Sequence, residues 1–102
     1  MSTWSRDEQE REGDYFFNGR AHITRGVQRE LSQAEILQII QDLRTAVRKH
    51  EGLDYLQVYT SDDGQTVWVI DQLSRSMKES GDYSDEQIAA YDYFTLLFPS
   101  EY

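Results

Sequence analysis

Between positions 71 and 92 the chain carries six carboxylates, Asp71, Glu79, Asp82, Asp85, Glu86 and Asp92, against two cations, Arg75 and Lys78. Tyr83 and Tyr91 are interleaved with them, and Tyr93 follows. Carboxylates at this density attract a basic surface at long range. Tyrosines supply rigid contact area with a polar tip. Asp71, Glu79, Asp82, Tyr83, Asp85, Glu86, Tyr91 and Asp92 are therefore the candidate partner-binding set. A row of carboxylates also imitates duplex phosphates, which points to a basic, nucleic-acid-handling enzyme as the partner. A purely structural account stands beside this one. Acidic residues keep a small protein soluble, Tyr83 can act as a helix staple with Ile88, and Tyr93 can be a sheet residue.

Other chemistries find little support. The chain has no cysteine, which removes disulfides, thiolate metal sites and a cysteine nucleophile. Its two histidines, His22 and His50, lie far apart without carboxylates at ligand spacing. Asp62-Asp63-Gly64 lacks the later oxygen ligands of a calcium loop and reads as a turn. The six glycines are scattered and form no phosphate-cradling loop. No glycine-flanked serine elbow is present. Asp85 and Glu86 fit a helix start, where they complement the helix dipole. The chain is expected not to be an enzyme and to need no cofactor and no metal.

Charge sharpens the partner class. Residues 1–50 hold eight Lys/Arg and eight Asp/Glu, whereas residues 51–102 hold two and eleven, so the whole net charge of −9 lies in the second half. Such a surface repels phosphates, and direct nucleic-acid binding is not expected. Arg20, Arg25 and Arg29 could form a local basic strip, but solvated arginines explain them as well. At 102 residues with 13% aromatics the chain suits one folded domain with a small aromatic core. The start has no apolar leader, and no apolar run approaches a membrane span. The expected place is the cytosol.

The elements that must position the acidic set are legible in outline. Residues 1–14 read as a polar N-terminal arm, frayed or briefly helical, with Trp4 pinning it to the body, and residues 15–102 as a single α+β domain. Tyr15-Phe-Phe-Asn-Gly reads as a short strand into a turn. Residues 20–26 alternate and predict a first strand ending near Gly26. Ser32-Gln-Ala-Glu35 is a capping box, and Ile36, Ile39, Ile40, Leu43 and Val47 form one apolar stripe, which predicts a helix over about 33–50 stopped by Gly52. Two strands around Asp63-Gly64 predict a hairpin, its second strand, Val67–Ile70, apolar on both faces and hence central. A short helix is expected between Gln72 and Ser80. Ser84-Asp-Glu-Gln87 is a second capping box, opening another over 85–91. Tyr93–Phe98 reads as a last strand before Pro99. The expected fold is an antiparallel sheet of three to four strands, one long helix packed on a face, and short helices in an acidic insertion.

Three segments carry a resemblance: Ile23-Thr-Arg-Gly-Val27, Val67-Trp-Val-Ile-Asp71 and Thr95-Leu-Leu-Phe-Pro-Ser-Glu-Tyr102. The chain resembles small domains of unknown function from plasmids, phages and other mobile elements, which share T-x-G-V, W-x-I-D and T-x-x-L-x-x-E-Y segments. Here Gln72-Leu-Ser replaces the expected aromatic or acidic continuation. The resemblance implies a mobile-element origin and transfers no site residue. Small acidic proteins of such elements often disarm host defence, so an anti-CRISPR or anti-restriction inhibitor that occupies a basic surface is the leading expectation. Two others stand beside it. One is a binder of a nucleotide signal, with Tyr55, Tyr59, Trp68 and Tyr93 as its wall. The other is a self-associating accessory protein, a homodimer in the simplest case.

Overall fold

A computed structural model describes residues 3–9 and 13–102. The elements run β1 (Trp4–Arg6), β2 (Arg20–Ile23), α1 (Arg25–Glu30), α2 (Gln33–His50), β3 (Leu56–Ser61), β4 (Thr66–Asp71), α3 (Arg75–Glu79), α4 (Asp85–Tyr91), β5 (Tyr93–Leu97) and a closing 3-10 turn (Pro99–Glu101). The class is α+β, as expected. The sheet has five strands in the order β1-β3-β4-β5-β2, and β2 pairs with β5 in parallel, so it is mixed and not antiparallel throughout.

The long helix matches its signals. Ser32 accepts from the Glu35 N–H at 3.2 Å and Glu35 accepts from the Ser32 N–H at 3.1 Å. Ile39, Ile40, Leu43, Ala46 and Val47 are buried and share one core with Tyr59, Val67, Val69, Phe94 and Leu96 of the sheet. Each Ile, Leu, Val or Phe side chain of this core, taken out of water, contributes about 1.5–3 kcal/mol. At the C-terminus Glu51 takes the left-handed conformation (φ 55°) and Gly52 follows at φ 117°, so the stop uses both residues.

Three expectations are corrected. The arm does not end at residue 14 as a separate piece: Trp4–Arg6 pair antiparallel with Tyr59–Ser61 and complete the sheet edge. Residues 1, 2 and 10–12, part of the expected arm, lie outside the described residues. Strand β2 stops at Ile23, and Gly26 stands inside α1, whose N-cap Thr24 accepts from the Val27 N–H. Tyr15–Gly19 form no regular strand; Tyr15 makes one bridge to Leu53, and Phe17 is fully buried with φ 48°.

The three segments behind the resemblance meet in space. The Thr24 hydroxyl donates to Glu101 Oε1 at 2.8 Å, and the same oxygen accepts from the Phe98 N–H at 2.8 Å. A Cβ on Gly26 would come within 2.7 Å of Glu101 Oε2, so glycine there permits the approach. Trp68 of β4 pairs with Leu97 and meets the Tyr102 ring edge-on, at 5.7 Å between centroids.

Strand β1 is held by one buried polar contact. The Trp4 indole N–H donates to Glu35 Oε2 at 2.8 Å, so the capping carboxylate also anchors the edge strand. The bond to Trp4, and then those to Ser32, hold the Glu35 carboxyl below its ordinary range. A depressed folded-state pKa stabilises the protein above the ordinary carboxylate pKa, and that stability fades as pH falls through the folded value. Replacing Glu35 with Ala is expected to cost about 1–3 kcal/mol in urea unfolding at neutral pH. Glu35→Gln should cost less, and its difference from wild type should shrink as pH drops below about 4.

Candidate functional site

The acidic insertion leaves the sheet at the end of β4 and returns at β5. It is a helix-turn-helix held at four points. Ser74 caps α3 by accepting from the Met77 N–H at 3.1 Å. Asp14 accepts from the Ser76 N–H at 2.9 Å and from its hydroxyl. Ser84 and Gln87 form the expected capping box on α4. The Arg20 guanidinium donates to the carbonyls of Ala89 and Ala90 at 2.9 and 3.2 Å, closing the C-terminus of α4. Arg20 is thus committed to the insertion, and a basic strip with Arg25 and Arg29 loses a member.

The eight candidate residues divide. Asp71 is only 2% exposed and faces the core side of the sheet with Val67 and Val69. Its Oδ2 accepts from the Phe17 N–H at 2.9 Å and its Oδ1 from the Gln72 N–H at 3.0 Å. Burial pushes its pKa up, opposed by the Phe17 N–H, the Lys78 charge and the Gln72 N–H, while Asp92 adds to the rise. Asp71 therefore does not belong to a partner surface; it fastens the 14–20 segment. Asp92 ends α4 half-buried, with its Oδ1 2.8 Å from Lys78 Nζ, which also donates to Asn18 Oδ1 at 2.8 Å. It too is mainly structural.

The other six face outward. Glu79 pairs with Arg75 at 2.9 Å, both side chains more than 60% exposed, so the pair contributes little to stability. Asp82, Asp85 and Glu86 are exposed and make no ion pair among the described residues. Tyr83 and Tyr91 are 39% and 59% exposed. Three exposed carboxylates, unpaired among the described residues, and two open tyrosines therefore stand within ten residues of one surface segment.

The aromatic wall does not form as expected. Tyr59 is fully buried on the core face, its hydroxyl donating to Asp42 Oδ2 at 2.8 Å. Trp68 and Tyr93 lie on the opposite face, where His22 stacks on Tyr93 at 4.1 Å. On that face Leu56, Val58 and Ile70 are half-buried. Sequence reasoning missed two features. One is the buried role of Asp71, which the alternation Val67, Val69, Asp71 signals once the core face is known. The other is an open cleft of about 430 Å³ beside Tyr15, Tyr55 and Tyr102, whose members come from four distant segments. A second groove, between α1 and α2, is lined by Ile23, Leu31, Ile36 and Leu37 with Gln28 and Gln33.

Among the described residues no three His, Asp or Glu side chains converge to hold a metal ion, and no helix is long and apolar enough to cross a membrane. Comparison of the chain with protein-family models, curated proteins and solved structures finds no match.

Asp71→Ala strands the buried Phe17 N–H and is expected to cost about 1–3 kcal/mol. Amide exchange should accelerate selectively at Phe17 and its neighbours. Unchanged exchange there would contradict the fastening role.

Proposed function

We propose that this domain is a binding protein that docks on a basic protein surface through the outer side of α3, α4 and the turn between them. The carrying observation is that Asp82, Asp85 and Glu86 are exposed and unpaired among the described residues beside the open rings of Tyr83 and Tyr91. Unpaired carboxylates keep their field in solution, and the half of the chain that bears them has only Arg75 and Lys78, both already engaged with carboxylates. Such a surface is drawn to cations and repels phosphate.

Within that class we favour an inhibitor of a host-defence nucleic-acid enzyme, CRISPR effector or restriction enzyme, whose basic groove the insertion would fill. The resemblance to mobile-element domains supports this choice. The nucleotide-sequestering alternative is weakened, because Tyr59 faces the core and Arg20 is spent on α4.

The test is capture from a bacterial lysate that carries such an enzyme. Asp82, Asp85 and Glu86 changed together to Lys should lose the partner that the wild-type domain retains. Wild-type capture should weaken as the Debye length falls from about 10 Å at 0.1 M salt to about 3 Å at 1 M. Because Lys at positions 85 and 86 opposes the α4 dipole, the Asn/Asn/Gln triple variant serves as a milder control. Circular dichroism should show both folded. Equal retention by the folded variants would reject the proposal.

A further inference from the structure

The tyrosine cleft opens where β4 leaves the sheet for the insertion, between Tyr15, Tyr55 and Tyr102, with Ile70 and Leu97 from the sheet face opposite the core and Asp71 also in its lining. Three properties of this place select a ligand. Among the described residues its lining has no Lys or Arg. Its aromatic content is high: Tyr15 and Tyr55 meet edge to face at 6.2 Å, and Tyr55 and Tyr102 are 43% and 84% exposed. Its field is negative: Asp14, Asp71 and Asp54 surround Tyr15 and, with burial as the larger cause, raise the pKa of its hydroxyl.

Ring faces attract cations through their quadrupole, and a negative surround adds to the attraction. A strongly hydrated ammonium loses more on entering an aromatic cleft than a guanidinium, which is planar, weakly hydrated and stacks on rings. A phosphate or carboxylate ligand would meet the field of these carboxylates and, among the described residues, no lining cation.

We infer that this cleft is a receptor for an arginine side chain of the protein partner. The inference rests on the docking reading and adds its anchor: the carboxylates of the α3–α4 segment would draw the basic surface in, and the cleft would hold one guanidinium. Arginine and tyrosine are both enriched among the few residues that carry most of the energy of protein interfaces.

The probe is N-acetyl-arginine methylamide, titrated into the full chain at millimolar concentration and followed by nitrogen–proton correlation NMR. The neutral citrulline analogue, of the same shape, is the control. Shifts at Tyr15, Tyr55, Ile70, Thr95 and Tyr102 with arginine, absent with citrulline, are expected. Tyr55→Ala, a change at an exposed position, should weaken the arginine response about five-fold. The Asp82/Asp85/Glu86 triple Lys variant should keep it, which separates this inference from the docking proposal. Shifts confined to residues 79–91 would overturn the cleft and leave the acidic surface standing. No shift, or equal shifts with citrulline, would overturn the cleft outright.

Discussion

A carboxylate buried at the end of the central strand organises this molecule. Asp71 gives one oxygen to the N–H of Phe17, fifty-four residues earlier, and the other to the N–H of Gln72. An unpartnered buried N–H costs about as much as a lost hydrogen bond, so the 14–20 segment has one favoured seat. That seat places Phe17 in the core, edge-on to Phe94, and brings Asn18 to Lys78, which in turn holds Asp92. Gly19 then lies so close to Asp92 that a Cβ would meet its carbonyl at 2.2 Å. The insertion is thereby pinned at both ends, at Gln72 and at Asp92. Within α3 that anchoring uses Ser76 and Lys78, bound to Asp14, Asn18 and Asp92, while Arg20 holds the C-terminus of α4.

This division of labour explains why one acidic stretch holds two kinds of carboxylate. Asp71 and Asp92 are spent on architecture, as is Asp14 from outside the stretch. Asp82, Asp85 and Glu86 stay exposed, with no ion pair among the described residues. The charge of this stretch is thus not a uniform coat: the structural acids sit where the insertion joins the sheet, and the exposed ones lie farther out along it. The tyrosine cleft beside the junction adds aromatic area. An attractive field next to a rigid aromatic recess is a combination suited to a basic protein partner.

How much of this was legible depends on the range of the interaction involved. Both capping boxes, the helix of residues 33–50, the hairpin turn at Gly64 and the short helix after Ser84 follow from neighbours within four residues, and they appear where the local pattern puts them. The parallel pairing of β2 with β5 joins residues more than seventy positions apart and leaves no local trace. Strand β1 is only three residues long, in a polar setting, and exists because Trp4 finds Glu35 and the free edge of β3. Gln57 was unreadable as a core residue. It is fully buried because Arg6, Gln9 and the Asp54 carbonyl satisfy its amide, partners drawn partly from the far N-terminal segment. The candidate site divides in the same way: its exposed members were visible as charge interleaved with tyrosine, while the fate of Asp71 depended on which sheet face meets α2.

The proposed docking is decided by where a captured partner touches the domain. Hydrogen–deuterium exchange of the domain, free and in complex with its captured partner, reads this directly. Slower exchange is expected over residues 72–91 and around Tyr55, with the outer side of α2 unchanged. Protection confined to α2 or to the groove between α1 and α2, with residues 79–91 exchanging as in the free domain, would contradict the account.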